Sequence, residues 1–167
     1  MPPRELVVLG LDPGSTAHGW AVLLVSLAGA RYHSAGHWAG SAARLVRLLH
    51  HRQRVTPADP ACPPIDLVAV EVPGAVYKLS CIKQLLLTAG QAGRALGAAE
   101  GVGLAHVDVA PGVWRLAVVG SNAPHDALIK DKLPPQIVGW PARSNAHVRD
   151  AAGVALYAGR AALTGDL

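Results

Sequence analysis

The chain has 167 residues, 51% of them apolar, and carries 15 lysines and arginines against 11 aspartates and glutamates, for a formal charge of +4 at pH 7. This length suits one domain, residues 1–167, with a sizeable core. The sequence has neither the roughly 18 apolar residues in a row that a membrane helix needs nor a secretory signal at MPPRELVVLG, which predicts a soluble, cytoplasmic protein. The positive charge favours an anionic partner, and the two cysteines, Cys62 and Cys81, are too sparse for a disulfide framework or a zinc site.

The N-terminal part of the chain has the apolar patterns of strands. Residues 5–11 form a compact apolar run that ends in the sequence DPG at 12–14, which predicts a buried strand stopped by a turn. Residues 18–27 and 31–39 predict two further strands joined by a glycine-alanine hairpin turn. We therefore expect three antiparallel strands in succession.

The middle of the chain alternates helices with strands. Residues 41–54 mix leucines with arginines and predict an amphipathic helix, whose basic face is either simply solvated or a site for an anion. After a proline-rich loop at 55–64, residues 66–72 (DLVAVEV) predict a fourth strand. An alanine- and leucine-rich helix is expected over 80–100 and a fifth strand over 104–109.

The C-terminal part is mainly helical. Short helices are expected at 113–119 and 123–133, followed by a loop at 134–141. Ser144 offers the N-cap of a long alanine-rich helix over 145–163. Because parallel crossovers place helices between strands, the order of elements predicts an α/β fold with a mixed five-stranded sheet, its first three strands antiparallel, flanked by helices.

Three acidic residues lie in strongly apolar surroundings: Asp12 after LVVLGL, Glu71 within LVAVEV and Asp150 before AAGVAL. Burying an ionised carboxylate costs several kcal/mol unless it is paired or binds a metal. No lysine or arginine lies within the two strands, and Arg149 points about 100° away from Asp150 around its helix. Magnesium prefers carboxylate oxygens, so the pattern indicates a divalent metal site. His147 can join it, because it precedes Asp150 by three residues on the same helix face.

Each of these residues also has a simpler interpretation. Asp12 before Pro-Gly suits an ordinary turn, Glu71 suits an edge strand at solvent, and Asp150 suits a helix surface. A single helical histidine such as His147 is typically structural or exposed. Convergence of all of them by chance is the less economical explanation, so a metal-dependent phosphoryl-transfer site is the hypothesis.

The same residues carry a resemblance to a known family. The segment LVVLGLDPGSTAHGWAVL resembles the first-strand motif of the RuvC Holliday-junction resolvases, with Asp12 as the first catalytic aspartate, and DLVAVEVP resembles their fourth-strand motif, with Glu71 as the catalytic glutamate. LTAGQAGRALGAA and APGVWRLAVVG resemble two further segments of the family. SNAHVRDAAGVALYAG resembles the closing motif, in which some members have histidine at the position of His147, before Asp150. The resemblance spans residues 5–163.

This resemblance implies an RNase H-like fold and hydrolysis of a DNA phosphodiester with two Mg²⁺ ions, for which Mn²⁺ can substitute. Asp12 would bridge both ions, Glu71 would bind one, and Asp150 with His147 would complete the other and orient the attacking water. The product would carry a 5′-phosphate. The implied partner is a four-way DNA junction, whose two-fold symmetry calls for symmetric cleavage by a homodimer. The alanine- and leucine-rich 80–100 helix is either the interface of that dimer or a helix packed in the core. A branch-migration helicase is a further implied partner.

Two departures from the family pattern affect DNA binding. The basic residue expected after the Val-Val-Gly segment is missing from SNAPHDALIK, so His125 or Lys130 would take its place. The aromatic residue expected just after Glu71 is replaced by Pro-Gly, with Tyr77 as the nearest substitute. The candidate DNA-binding residues, each of which is alternatively an ordinary surface residue, are Tyr77, Lys78, Lys83, Arg94, Arg115, His125 and Lys130.

Functions of other classes stay open at this point. An actin- or hexokinase-like ATPase also opens with a strand, an aspartate and a hairpin, but that fold needs two such domains. A nuclease of the same fold that acts on RNA or on other branched DNA needs no change in the site. A module that holds junctions without cutting them would leave a metal position free to change, whereas all four positions are filled.

Overall fold

A six-stranded mixed sheet organises the fold. The computed structural model describes residues 4–55, 63–74, 82–123 and 125–167 and, at 52–55, the backbone alone. The strands are β1 (Leu6–Pro13), β2 (Ala17–Ser26), β3 (Gly29–Ala39), β4 (Leu67–Glu71), β5 (Ala105–Val109) and β6 (Ile137–Val138). The helices are α1 (Ala42–Val55), α2 (Ile82–Gly101), α3 (Pro111–Val119), α4 (Asp126–Lys132) and α5 (Ala146–Thr164). The strand order across the sheet is β5-β4-β1-β2-β3-β6.

The sheet combines antiparallel and parallel pairing. Strands β1, β2 and β3 are antiparallel because short turns join them, whereas β4 and β5 run parallel to β1 because helices intervene in the chain. The α/β fold with an antiparallel start is thereby confirmed. The count of five strands was wrong, because the segment 134–141, expected to be a loop, contains a 3-10 turn and β6, which pairs with Ala30 and Arg31 of β3. A strand of two residues is too short to show the alternation by which strands are recognised.

Alternation along β1 divides the core into two layers. Val7, Leu9 and Leu11 pack with α1 and α2, whereas Val8 packs on the opposite face with α3, α4 and α5. Because successive side chains of a strand point to opposite faces, Asp12 lies on the same face as Val8. The acidic residue is therefore directed towards α5 rather than towards the α1 and α2 layer.

Helix α5 approaches the sheet closely because glycines line the contact. A Cβ placed on Gly10 of β1 would lie 2.0 Å from the carbonyl oxygen of Ala151, and one on Gly159 of α5 would lie 2.8 Å from Val25. Both distances are shorter than van der Waals contact, so glycine is required at these positions. Alanines supply much of the remaining buried face of α5, including Ala151, Ala152, Ala155, Ala158 and Ala161.

Helix boundaries differ from the sequence predictions by a few residues. Asn145, not Ser144, caps α5: its backbone is extended, with φ −80° and ψ 171°, and its side chain accepts a hydrogen bond from the Val148 amide. Asparagine and serine are equally good N-caps, so the sequence does not distinguish them. Helix α4 begins at Asp126, later than expected, because His125 occupies the N-cap position.

Some sequence predictions concern residues outside the described part of the chain. These are most of the 55–64 loop and the residues Cys62, Tyr77, Lys78 and Cys81. Within the described ranges, no helix combines the length and the apolar character needed to cross a membrane.

Gly10→Ala tests the close approach of α5. The added methyl group would collide with the Ala151 carbonyl, so we expect the free energy of unfolding to fall by about 2 kcal/mol or more, as overpacking does. Gly112→Ala is the matched control, because a Cβ there has its nearest contact at 3.8 Å and alanine favours a helix. Urea unfolding measures both changes. If Gly10→Ala were as stable as the wild type, α5 would not pack as described.

Candidate active site

Two carboxylates meet at one edge of the sheet. Asp12 lies near the end of β1 and Glu71 ends β4, and these strands are parallel neighbours with Leu11 opposite Val70. Parallel neighbours end at the same edge, so the two acidic residues lie side by side. Each side chain is only 12% exposed. The edge therefore carries two adjacent, largely buried carboxyl groups.

Helix α5 brings the other two predicted residues to this edge. His147 and Asp150 lie in its first turns, on one face of the helix. Gly19 of β2 makes the approach possible, because a Cβ there would lie 2.1 Å from the carbonyl oxygen of His147. The His147 Nδ1 lies 2.5 Å from Asp12 Oδ2. The helix histidine and the strand aspartate are therefore in direct hydrogen-bond contact.

Helix α3 supplies two partners for the acidic residues. The Trp114 Nε1–H donates to Glu71 Oε2 over 2.6 Å, and the Arg115 guanidinium donates to Asp150 Oδ2 over 3.0 Å. The same guanidinium lies 3.9 Å from Glu71 Oε1. The strands themselves contain no lysine or arginine, but Arg115 reaches Asp150 from a separate helix, 35 positions away in the chain. The divalent metal is therefore not the only possible partner of these carboxylates.

Trp114 is held in place by close packing. Its side chain is fully buried, and a Cβ on Gly153 of α5 would lie 2.3 Å from the indole ring. The Arg115 guanidinium carbon lies 5.2 Å from the ring centroid, within the range of cation–π attraction. The indole therefore helps to orient both the carboxylate of Glu71 and the guanidinium of Arg115. In the sequence, the only signal for Trp114 is its place next to a basic residue in the WR pair.

The site carries more negative than positive charge. Burial and the neighbouring Asp12 raise the pKa of Glu71 from 4.5 to about 7, although Trp114 and Arg115 act in the opposite direction. Burial likewise raises the pKa of Asp150, and the hydrogen bond to Asp12 raises the pKa of His147. Three carboxyl groups thus lie beside one guanidinium and one imidazole.

The four residues offer donors for a hard cation but not a preformed cage. Three of them are carboxylates, the ligands that Mg²⁺ prefers, and a divalent cation would relieve the repulsion from Asp12 that, after burial, raises the pKa of Glu71. Each side chain instead bonds to a protein neighbour. Among the described residues, no group of three or more His, Cys, Asp or Glu side chains is arranged to hold a metal ion. The donor chemistry and the uncompensated charge nevertheless fit a divalent ion.

A second histidine lies beside this group. His37 of β3 is opposite Gly19 in the sheet register, and its ring centroid lies 6.0 Å from that of His147. Its side chain is exposed. His37 carries no signal in the sequence, because its position becomes meaningful only when β3 is aligned with β2.

The predicted DNA-binding residues do not form one surface. Arg115 lies among the carboxylates, whereas Lys83 and Arg94 are exposed on α2, which packs on the opposite face of the sheet. Tyr77 and Lys78 lie outside the described residues. DNA that contacts Arg115, Lys83 and Arg94 together would have to extend around the edge of the sheet.

The two residues proposed to replace the missing basic residue already have partners in α4. His125 Nδ1 accepts a hydrogen bond from the Leu128 amide over 3.0 Å and so caps the helix. The Lys130 ammonium lies 2.6 Å from Asp126 Oδ2. Their part in DNA binding stays a prediction.

Solved structures of known resolvases share this fold. The T. thermophilus RuvC in complex with Holliday junction substrate aligns with a TM-score of 0.71 and 24% identity, over 96% of this chain and 97% of that chain. A second Thermus thermophilus RuvC structure gives a TM-score of 0.69 and 25% identity over 96% and 98%, and the yeast mitochondrial Holliday junction resolvase Ydc2 gives 0.57 and 12% over 96% and 80%. No family model and no curated protein sequence matches the chain. The structural matches confirm the resemblance to RuvC resolvases and the RNase H-like fold.

The raised pKa of Glu71 predicts that stability depends on pH. In the folded protein Glu71 keeps its proton up to about pH 7, whereas the unfolded chain loses it near pH 4.5. The folded state therefore binds the extra proton within this window, and stability falls as the pH rises through it. Glu71→Gln has no such proton to lose. In metal-free buffer, the wild type should lose about 2 kcal/mol more of its free energy of unfolding than Glu71→Gln when the pH rises from 5 to 8.

Urea unfolding of both proteins at the two pH values measures this gain. Glu100→Gln, which removes an exposed negative charge from α2, controls for the loss of charge alone. If the wild type and Glu71→Gln changed stability in parallel with pH, Glu71 would not be the group that binds the proton.

Proposed function

We propose that this chain, which has the fold of the RuvC Holliday junction resolvases, is a structure-specific endonuclease that makes symmetric nicks in four-way DNA junctions. One observation carries the proposal: Asp12, Glu71, His147 and Asp150 come together at one edge of the sheet of this fold. The formal charge of +4 suits a polyanionic substrate.

The proposed cofactor is a pair of Mg²⁺ ions, with Mn²⁺ as a substitute, held by the same four residues. When bound, such ions lower the pKa of water and neutralise the charge that develops on the phosphate. The protein places the oxygen and nitrogen atoms that would bind the ions. Trp114 supports that placement, since its Nε1–H fixes one oxygen of Glu71, and partners of this kind orient metal-binding carboxylates.

Two basic side chains act beside the carboxylates in this proposal. Arg115, held by Trp114 and Asp150, presents its guanidinium to the DNA phosphate, for which a planar fork of donors is well suited. His147 Nδ1 is bonded to Asp12, so its other ring nitrogen is the one available to a metal ion or to the attacking water.

A homodimer suits the symmetry of the proposed substrate. A four-way junction has two-fold symmetry, so a two-fold dimer directs one site to each of two opposite strands. Helix α2 supplies the candidate interface, because Leu86 and Leu87 are 68% and 49% exposed. Apart from the backbone of α2 itself and the chain neighbours of each glycine, no described atom lies within 4 Å of a Cβ on Gly90, Gly93 or Gly97. A second copy of α2 would cover this apolar face, and the glycines would let the two backbones approach closely.

Asp12→Asn separates cutting from binding. With Mg²⁺, the wild type is expected to nick a synthetic mobile four-way junction on opposite strands. Asp12→Asn removes the charge of a proposed metal ligand, so its rate of cutting should be at least roughly a hundredfold lower. Both proteins should bind the junction in Ca²⁺. Denaturing gels of end-labelled strands measure cutting, and gel-shift titration measures binding.

Asp131→Asn is the control for this experiment. It removes the charge of an acidic residue on α4 whose side chain is 70% exposed, so this variant should cut the junction like the wild type. Binding without cutting in Mg²⁺ or Mn²⁺ would contradict the proposal and favour a module that only holds junctions. Faster cutting of flaps or RNA hybrids would retain the nuclease but reject the junction as its substrate.

Leu86→Glu tests the proposed dimer. A charge on each copy of α2 would be buried in the interface, so we expect dimer dissociation to become at least about tenfold easier, a change of roughly 1.4 kcal/mol. Leu27→Glu is a closely matched control, because Leu27 is 69% exposed and Leu86 is 68% exposed. Analytical ultracentrifugation measures the association of both variants. Equal association would place the interface elsewhere.

A cytoplasmic location, expected from the sequence, and cooperation with a branch-migration helicase, implied by the resemblance, stay predictions.

A further inference from the structure

A second concave surface lies beside the start of α5. It is an open cleft of about 760 Å³, formed by α4, β6 and the segment that leads into α5. Asp12, Glu71, His147 and Asp150 are absent from its described lining, so it is separate from the candidate active site. The lining residues that matter here are Lys130, Trp140, Arg143, Ser144 and Arg149.

The cleft has an excess of positive charge. Its lining, within the described residues, includes the cations Lys130, Arg143 and Arg149 and no carboxylate. The nearby Asp126 is bonded to both Lys130 and Arg149. Arg143 is exposed and makes no ion pair or hydrogen bond within the described part of the chain. One carboxylate against three cations leaves the cleft suited to an anion.

Arg149 gives the cleft a fixed wall. Its side chain is buried, with only 6% exposed. One guanidinium nitrogen donates to the carbonyl oxygen of Ser144 and the other to Asp126 Oδ1, both over 2.5 Å. These bonds connect the segment before α5 to α4, so the two sides of the cleft are held together.

Trp140 gives the cleft a flat aromatic surface. Its ring is half-buried and packs edge-on against Tyr32, with the centroids 5.9 Å apart and the planes at 80°. The turn before it is fixed by Gly139, whose φ of +79° favours glycine. The indole is thus a preformed surface rather than a freely rotating side chain.

The cleft lies close to the candidate active site along α5. Arg149 lines the cleft and the next residue, Asp150, belongs to the candidate active site, so the two sites lie on neighbouring faces of α5, about 100° apart around the helix. A strand of DNA that has its phosphate at the carboxylates therefore reaches the cleft within a few nucleotides.

We propose that this cleft binds an unpaired nucleotide of the DNA strand near the cleaved phosphate, with its base stacked on Trp140 and its phosphate bound by Arg143 and Lys130. The inference rests on the proposed function and adds a recognition site to it. A basic groove with an aromatic platform is the combination that binds single-stranded nucleic acid without reading its sequence. Duplex DNA, whose bases are already stacked, gains nothing from Trp140.

Arg143→Glu is the first test. The probe is a fluorescein-labelled 12-residue DNA single strand in Ca²⁺ buffer, and fluorescence anisotropy measures its affinity over a range of salt concentrations. We expect Arg143→Glu to weaken binding by at least about tenfold and to lower the salt dependence by about one phosphate contact. Arg47→Glu is the matched control, because Arg47 is exposed on α1, on the opposite face of the sheet, and should change the affinity less than about threefold.

Trp140→Leu tests the aromatic surface. Loss of the ring should weaken single-strand binding by roughly tenfold, and a thermal melt establishes that the variant is folded. The wild type gives an independent measurement, because stacking of a base on Trp140 should quench its emission. That quenching should be absent from Trp140→Phe, which keeps a ring in contact with Tyr32.

Two results would overturn the proposal. One is equal single-strand affinity of Arg143→Glu and Arg47→Glu. The other is displacement of the strand from the cleft by inorganic phosphate or thymidine monophosphate at micromolar concentration, which would assign the cleft to a free small anion.

Junction cutting by the wild type, measured in parallel, distinguishes this inference from the proposed function. If the wild type cuts the junction but Arg143→Glu shows no selective loss of single-strand binding, only the proposal for the cleft is rejected. If Arg143→Glu selectively loses single-strand binding but the wild type does not cut the junction, the junction-resolving function is rejected and the cleft is kept as a single-strand site.

Discussion

The close packing of α5 on β1 and β2 is the constraint on which the candidate site depends. Gly10 and Gly19 have no side chains to hold the helix away, so backbone lies against backbone. Only at this distance does His147 reach Asp12 with a hydrogen bond of 2.5 Å. A helix held one methyl group further out would separate the strand carboxylate from the helix residues. The small residues of α5 are therefore as much a part of the site as its acidic residues.

The charge imbalance at this edge is tolerated because three different groups share it. Trp114 donates to Glu71, Arg115 to Asp150, and the imidazole of His147 contacts Asp12. Each partner offsets part of the cost of burying a carboxylate, and loss of any one would leave a buried group without compensation. The raised pKa of Glu71 shows that the compensation is incomplete. Proteins keep such unfavourable arrangements mainly where function requires them.

The sequence predicted the local features of the fold better than its long-range contacts. The first five strands and the long helices follow from periodicity, and Asp12 and Glu71 stood out as acidic residues beside apolar runs. Strand β6 was not predicted, because a strand of two residues is too short to show a periodic pattern. The contact of Arg115 with Asp150 joins residues 35 positions apart, and no local pattern encodes it. The positions of the four predicted residues are now described, whereas their roles in catalysis stay predictions.

Trp114 gives the molecule an optical property at its candidate site. A fully buried indole whose N–H is bonded to an ionisable carboxylate changes its electronic environment whenever that carboxylate gains a proton, loses one or acquires a new ligand. Its absorption, emission and indole N–H resonance therefore depend on the state of Glu71. Neither Trp20, Trp38 nor Trp140 is hydrogen-bonded to an acidic side chain within the described residues. The protein thus contains its own chromophore at the carboxylate edge, and events there can be followed in the unlabelled molecule.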